Sequence, residues 1–157
     1  MPKGTKARDV VCVISKGHVS LKLKGAKGDL DGGKCVLWTH NRQTPYVPSG
    51  LVYEGCLYFL RNTKSVLSCL DAKTGEVHYE GQRLRGLRDV YASPIAAGGH
   101  VYIASRGGQV KVIKAGPSYQ EVATNNLNDE FDASPVVIGD ELYLRGRRSL
   151  YCIAAKD

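Results

Sequence analysis

Cysteine and histidine have the widest chemical range of the side chains in this 157-residue sequence, because they bind metal ions and act as nucleophiles or bases. Neither type forms a cluster: no two cysteines are spaced Cys-x-x-Cys, and no histidine cluster accompanies them. The sequence therefore predicts no zinc site and no dithiol redox motif, and reduced thiols are expected. The residues concerned are Cys12, Cys35, Cys56, Cys69 and Cys152, with His18, His40, His78 and His100.

A short acidic group offers a second kind of chemistry, since carboxylate oxygens bind cations. Asp129, Glu130 and Asp132 lie together in the stretch NNLNDEFDAS. These residues lack the alternating spacing of oxygen ligands in a calcium-binding loop. A connecting loop is therefore the favoured interpretation of this segment.

The densest basic segment is RGRRS, residues 145–149, which would suit an anion or phosphate contact where loops gather. A solvated hairpin turn is the favoured alternative, because clustered charges are usually solvated.

The known catalytic and phosphate-binding motifs are absent from the sequence. It contains no Gly-x-Ser-x-Gly, phosphate-loop or HExxH motif, and the glycines of ASRGGQV fit a hairpin turn. The sequence thus predicts no catalytic, cofactor-binding or metal-binding residue.

A repeated segment organises the chain. Aligning Ser49, Ser93 and Ser134 brings SGLVYEGCLY, SPIAAGGHVY and SPVVIGDELY into register without gaps. The steps of 44 and 41 residues lie in the range of about 40–50 residues typical of one four-stranded propeller blade. Each unit reads as short strands rich in Val, Ile, Leu and Tyr, separated by turns that contain Gly, Asn or Asp. Sustained helical periodicity is absent.

These units predict an all-β fold, a partial β-propeller of about three four-stranded antiparallel blades. The chain is expected to be a single domain, 1–157, that begins with a partial blade. That blade contributes DVVCVIS and CVLWTHNR as its last two strands, with a Gly/Lys-rich loop or hairpin between them. The predicted boundaries are a partial blade at 1–44 with its loop at 16–34, blades at 45–88 and 89–130, and an incomplete three-stranded blade at 131–157.

The Ala-Ser-Pro starts, the Gly turn and the aliphatic-Tyr pair, together with CLDAKTGEVHY, resemble the pyrroloquinoline-quinone-like (quinoprotein-type) β-propeller repeat. Blades of that family often carry a turn similar to Ala-x-Asp-x-x-Thr-Gly-Lys-x-x-Trp. The resemblance covers nearly everything after residue 35, although Gly50 replaces the usual Pro and AGPSYQ replaces the turn in the second unit. The turn matches at Asp71, Thr74 and Gly75, with Cys69, Glu76 and Tyr79 at its Ala, Lys and Trp positions.

The residues of this motif predict structure before chemistry. Asp71 can accept backbone N–H bonds in a turn, and Gly75 can adopt positive φ. Ser-Pro is expected to open the innermost strand of each blade, where Pro needs no ladder partner. Large aromatic side chains near the end of the outer strand, Trp38 and Tyr79, are expected to pack between neighbouring sheets.

The resemblance leaves more than one function open. The favoured one is a non-enzymatic propeller segment that acts in binding or scaffolding and needs no cofactor. The alternative is a fragment of a quinone-dependent dehydrogenase, which the resemblance would equip with a calcium ion and a catalytic Asp. Against it, the chain has no adjacent cysteines and too few blades to form the cofactor funnel. A third candidate is a basic polyanion-binding module, because the net charge is +7 and the pI about 9.2.

Partners and location follow from the same features. No apolar run approaches the roughly 20 residues of a membrane span, and no secretory signal is visible, so the chain as given is expected to be cytoplasmic. Members of the resembled family are often exported or periplasmic. Without a recognised motif, a specific nucleic-acid role is not expected. A protein partner or missing amino-terminal blades of the same propeller are the expected partners. The incomplete last blade predicts an exposed strand edge at 149–154 that favours homo-oligomers.

Overall fold

In a computed structural model of the chain, the described residues are 10–15, 18–23, 36–61 and 65–154. They form fourteen β-strands in four sheets. None of the residues in these ranges is helical, and the described chain accordingly holds no helix of the length and apolar character that crossing a membrane requires.

All neighbouring strands within a sheet are antiparallel, and their order follows the sequence. The first sheet contains β1 (Val10–Ser15), β2 (His18–Leu23) and β3 (Val36–His40); the second β4 (Leu51–Tyr53), β5 (Cys56–Arg61), β6 (Val66–Asp71) and β7 (Val77–Arg83); the third β8 (Ile95–Ala97), β9 (His100–Ala104), β10 (Gln109–Lys114) and β11 (Glu121–Asn126); the fourth β12 (Val136–Ile138), β13 (Glu141–Arg145) and β14 (Leu150–Ile153).

The four sheets are arranged as propeller blades. The first strands of the last three sheets, β4, β8 and β12, are short edge strands that approach one another across neighbouring sheets. Each of these three meanders therefore begins near a common axis, and its later strands lie progressively farther out. This arrangement confirms the predicted all-β partial propeller.

The first sheet differs from the prediction. The segment 16–34 was expected to be a loop or hairpin between the last two strands of a partial blade, but β2 lies within it and pairs with both β1 and β3. The physical reason is that HVSLKL alternates apolar and polar residues, the period-two pattern of a strand, despite its Gly- and Lys-rich surroundings. The remainder of that segment, residues 16–17 and 24–34, lies outside the described residues.

Apolar side chains fill the spaces between successive sheets. Adjacent residues of β5 point to opposite faces, so Leu57 and Phe59 pack beside Trp38 of the first sheet. Tyr58 and Leu60 point the other way and join a buried cluster shared with the third sheet. A further cluster lies between the third and fourth sheets; its buried members are Ala92, Ala104, Val110, Phe131 and Leu144. The core is therefore a series of sheet-to-sheet contacts.

The repeated serine links neighbouring blades. The Ser49 backbone N–H donates to Ser93 Oγ at 2.8 Å, and the Ser93 N–H donates to Ser134 Oγ at 2.9 Å. The adjoining prolines are buried and directly precede β8 and β12, as predicted for the innermost strand. The repetition of Ser-Pro thus serves the docking of one blade on the next.

The Asp-Thr-Gly turn after β6 also has the predicted structure. Asp71 Oδ1 accepts bonds from the backbone N–H groups of Lys73 (2.9 Å) and Thr74 (2.6 Å). Gly75 has φ +75°, and a Cβ at this position would lie 2.5 Å from the indole of Trp38. Only glycine fits there, because the indole of the preceding blade packs directly over the turn.

Candidate functional site

The candidate site is a polar cleft between the third and fourth sheets, with a volume of about 340 Å³. Three connections meet there: the β9–β10 turn, the loop between β11 and β12, and the β13–β14 turn. We call this region the arginine cleft. Its lining residues are Arg106, Glu130, Asp132, Ala133, Arg145, Gly146 and Arg147.

Two equivalent backbone bonds attach the arginine-bearing turns to the loops between blades. The Arg106 N–H donates to the Asp89 carbonyl at 3.1 Å, and the Arg147 N–H donates to the Glu130 carbonyl at 2.9 Å. Arg106 and Arg147 are 41 residues apart, the same step that relates Ser93 to Ser134. The fold therefore places an arginine at the same position of two successive blades.

Asp129 fixes the β13–β14 turn. Its side chain is only 1% exposed, and its carboxylate accepts bonds from the Glu130, Arg148 and Ser149 backbone N–H groups and from the Tyr151 hydroxyl. Burial alone would raise the pKa of Asp129, but these donors hold that pKa below its ordinary value. The ionised carboxylate thus holds a turn that carries three arginines.

Close packing of this turn depends on a small residue. A Cβ at position 146 would lie 2.3 Å from Asp129 Oδ2, so Gly146 allows the backbone to approach the carboxylate. Tyr151 packs edge-on against Phe131 beneath it, with ring centroids 6.0 Å apart. The turn therefore packs closely on the Asp129 carboxylate, and the arginine side chains extend from this hydrogen-bonded backbone.

The charged groups of the cleft are paired unequally. Arg106 donates to Asp132 from two of its three guanidinium nitrogens (Nε–Oδ1 2.5 Å, Nη2–Oδ2 3.0 Å), and this hydrogen-bonded pair lowers the pKa of Asp132 and raises that of Arg106. The Arg106 guanidinium also lies 4.4 Å from the ring centroid of Tyr91. Arg147 and Glu130 are 3.4 Å apart, and Arg147 is 75% exposed.

Arg145 differs from its neighbours, because it has no carboxylate partner among the described residues. It is exposed at the end of β13 and lines the cleft. A guanidinium that no described carboxylate pairs, next to one weak and one strong ion pair, suits a ligand that carries a carboxylate or another compact anion.

The predicted acidic loop has a structural use. Asp129, Glu130 and Asp132 each contact different protein donors and do not converge on one point. Over the described ranges, no three His, Cys, Asp or Glu side chains are grouped as metal ligands.

The basic segment RGRRS forms the expected exposed hairpin turn. The sequence analysis missed that Arg106 and Tyr91 would lie beside it. The signal that could have found Arg106 is its repeat equivalence to Arg147.

The histidines and cysteines occupy separate places. His40 Nε2 lies 2.8 Å from Glu80 Oε1, and His100 Nδ1 lies 2.7 Å from the Gly98 carbonyl. Cys56 and Cys69 are buried and Cys152 is exposed, all three as free thiols. His78 is partly buried in β7, away from the cleft. The side chains of Cys12, Cys35 and His18 lie outside the described part of the chain.

Comparison with known proteins supports the fold. No protein-family model and no curated protein matches the chain. The alignment with the crystal structure of the computationally designed Ika4 protein covers 96% of this chain and 88% of the Ika4 chain, with a TM-score of 0.71 and 10% sequence identity. The crystal structure of BamB from Moraxella catarrhalis aligns with 94% of this chain at a TM-score of 0.50 and 14% identity.

The alignments also differ in how much of the other protein they include. This chain spans about half of BamB, 55% of its length. The quinohemoprotein alcohol dehydrogenase ADHIIG from Pseudomonas putida HK5 aligns over 66% of this chain and 17% of its own, with a TM-score of 0.49 and 17% identity. At these identities the alignments with Ika4 and BamB establish a β-propeller fold alone, and function must come from the site.

Proposed function

We propose that this chain is a non-catalytic β-propeller module that binds an acidic segment of a protein partner in the arginine cleft. The observation that carries the proposal is the uneven pairing of the cleft: Arg145 has no carboxylate partner among the described residues, and Arg147 holds its partner at only 3.4 Å. A carboxylate of the partner would complete the pairing of Arg145. The likeness in fold to BamB and to a quinohemoprotein dehydrogenase supports a propeller scaffold.

Binding is favoured over catalysis because the repeated polar residues are already used to hold the blades. Ser93 Oγ accepts a backbone bond from the preceding blade. Asp71 holds its own turn. The Tyr58 hydroxyl accepts the Gly116 N–H of the next blade at 2.6 Å. What remains for a ligand is the charged surface where three loops meet.

A protein segment is favoured over a nucleic acid because the cleft is close to charge balance. Arg106, Arg145 and Arg147 face two carboxylates, those of Glu130 and Asp132. A phosphate backbone requires a sustained positive surface with several unpaired cations. One available guanidinium and one weakly paired guanidinium fit one or two carboxylates of a peptide instead.

Fluorescence anisotropy with a labelled hexaglutamate peptide tests the proposal, with hexaglutamine as the neutral probe. We expect saturable binding of hexaglutamate only. Arg145→Gln and Arg147→Gln should each weaken it about fivefold, because an exposed ionic contact contributes up to about 1 kcal/mol. Arg85→Gln is the matched control, since Arg85 is exposed in the turn after β7 and outside the cleft.

Three results would contradict the proposal: equal binding of both peptides, no binding, or an equal loss in Arg85→Gln. Tight duplex DNA binding with a steep salt dependence would favour the polyanion-binding alternative. The enzymatic alternative predicts dye-linked alcohol oxidation when pyrroloquinoline quinone and Ca²⁺ are added to the protein. We expect no such activity.

A further inference from the structure

The described arginines are concentrated on one side of the propeller. All nine of them, from Arg42 to Arg148, lie at the ends of β3, β5, β7, β9 and β13 or in the loops that follow these strands. Because antiparallel neighbours alternate in direction, these strands end on the same side of the sheets. We call this side the arginine face.

Hydrogen bonds join successive loops of the arginine face. Arg61 Nη1 donates to Gln43 Oε1 at 3.2 Å, and the Leu84 N–H donates to the Ser65 carbonyl at 2.9 Å. The backbone bonds that attach the arginine-bearing turns continue this series to the fourth sheet. The arginine face therefore extends from the β3–β4 loop to the β13–β14 turn.

The two sides of the propeller differ in charge. Among the described side chains, the arginine face carries nine arginines and four carboxylates, those of Asp89 and of the 129–132 loop, a net charge of +5. The opposite side carries Lys73 and Lys114 with six carboxylates in or beside the β4–β5, β6–β7, β10–β11 and β12–β13 turns, a net charge of −4. An acidic partner is therefore attracted to the arginine face and repelled by the other side.

The segment RLRGLR, residues 83–88, carries three of these arginines on an anchored backbone. Its Leu84 and Leu87 are buried in the apolar cluster shared by the second and third sheets. The Leu87 N–H donates to the Leu84 carbonyl at 3.3 Å, so that Arg85 lies at the tip of a turn. Arg83 and Arg88 flank this turn, and all three arginines are exposed.

Arg88 lies beside the arginine cleft, because the carbonyl of the next residue, Asp89, accepts the Arg106 N–H. Arg88 forms no ion pair with a described carboxylate, and neither does Arg145. These two arginines belong to different blade junctions. The ion pair of Arg106 with Asp132 lies between them, since Arg106 is bonded to the loop of one junction and lines the cleft of the other.

We propose that the acidic segment bound in the arginine cleft extends to Arg88, and that its carboxylates form two groups separated by neutral residues. One group pairs with Arg145 and the other with Arg88. The neutral residues pass the carboxylates of Asp89 and Asp132. This inference rests on the proposed function, because it gives the acidic partner of the same site a charge pattern and a second contact.

The fold sets the separation of the two groups. Packed sheets lie about 10 Å apart, so neighbouring blade junctions are separated by about that distance. Six neutral residues of a flexible segment span about 15 Å on average, which is enough to join them. A nucleic acid fits less well, because its backbone carries a charge at every nucleotide and cannot omit those beside Asp89 and Asp132.

Fluorescence anisotropy with two labelled peptides of identical composition tests this inference. The bipartite peptide has three glutamates, six glutamines and three glutamates; the contiguous peptide has six central glutamates with three glutamines on each side. We expect the wild-type protein to bind the bipartite peptide about fivefold more tightly, the effect of one further exposed ion pair. Arg88→Gln should remove this preference, whereas Arg88→Lys, which keeps the charge, should retain most of it.

Arg85→Gln is the matched control, because it removes the same charge from the same exposed segment at the tip of the turn. It should keep the full preference. Equal binding of both peptides, a preference that survives Arg88→Gln, or one that Arg85→Gln also removes would each overturn the inference. So would binding of a twelve-nucleotide oligo(dT) that is tighter than binding of the bipartite peptide, which would indicate a nucleic-acid partner.

The same titrations separate this inference from the proposed function. If the contiguous peptide binds through Arg145 and Arg147 and the bipartite peptide has no advantage, the contact with Arg88 is wrong and the arginine cleft still binds an acidic segment. Binding of neither peptide would contradict both proposals.

Discussion

Asp71 shows, at the scale of single residues, why a repeat motif that resembles a cofactor family can be structural. Its Oδ1 accepts three bonds within one turn, from the Lys73 and Thr74 N–H groups and from the Thr74 hydroxyl. The bond from the Thr74 N–H is the main reason that the pKa of Asp71 lies below its ordinary value of 3.8. The turn therefore stabilises the folded state more strongly when Asp71 is ionised than when it is protonated.

The first prediction concerns Asp71→Ala. Because hydrogen bonds to a charged group contribute about 1.5–3 kcal/mol and this turn is partly exposed, we expect the variant to lose about 1–2 kcal/mol at pH 7. The lowered pKa means that the stabilisation is present above pH 3.8 and is lost as the pH falls through the folded-state value. Urea titrations at pH 7 and pH 2.5 should show a smaller difference from wild type at pH 2.5 than at pH 7.

Asp140→Ala is the control for this experiment. Asp140 is exposed in the β12–β13 turn, and its side chain accepts no hydrogen bond from the described residues. It should match wild type at both pH values. An Asp71→Ala deficit that persists unchanged at pH 2.5 would show that packing, and not the ionised turn, is responsible.

At the scale of elements, the pairing of β10 with β11 contains a buried charge. Lys111 is 1% exposed, and its Nζ lies 2.5 Å from Glu121 Oε1 and 3.0 Å from Thr124 Oγ1. The hydrogen bond from Lys111 lowers the pKa of Glu121. The two partners are not equivalent, because the side chain of Glu121 is 42% exposed.

The second prediction follows from that asymmetry. Glu121→Ala leaves a buried ammonium without its carboxylate and should cost about 1–2 kcal/mol of unfolding free energy. Lys111→Met removes the buried charge, leaves Glu121 partly in water and keeps the side-chain volume, so it should be within about 1 kcal/mol of wild type. Urea denaturation of both variants at pH 7 measures the difference. A greater loss in Lys111→Met than in Glu121→Ala would contradict this account.

The elements were predictable to the extent that their pattern is local. Short apolar runs between Gly-containing turns predicted the strands of the last three sheets, because strand pairing through tight turns depends on neighbours in sequence. The strand β2 was missed because its glycine- and lysine-rich surroundings conceal six alternating residues.

The arginine cleft could not be predicted in the same way, since three loops meet there only after the sheets pack. Repeat register alone could have aligned Arg106 with Arg147, although the sequence analysis did not use it for that purpose. It could not show that Tyr91 would stack on the first, or that Arg145 would have no carboxylate partner among the described residues.

At the scale of the whole molecule, each sheet packs only on its neighbours, as in other repeat architectures. Leu57 packs beside Trp38 between the first two sheets, and Leu144 lies between the last two. No described cluster joins both ends of the chain. Stability should therefore be distributed over separate interfaces instead of one central core.

The third prediction compares those two interfaces. Leu57→Ala and Leu144→Ala each remove a buried side chain, which costs about 2–5 kcal/mol locally. The single tryptophan, Trp38, reports only on the first interface. We expect Leu57→Ala to shift the urea midpoint of tryptophan fluorescence strongly and Leu144→Ala to shift it little.

Hydrogen exchange of residues 136–153 should become much faster in Leu144→Ala and change little in Leu57→Ala, since Leu144→Ala weakens the contact that holds the fourth sheet. If both substitutions shift both probes equally, the sheets unfold as one cooperative unit and the nearest-neighbour description is wrong. If each substitution shifts mainly the probe of its own interface, the contacts between blades contribute separately to the stability of the described sheets.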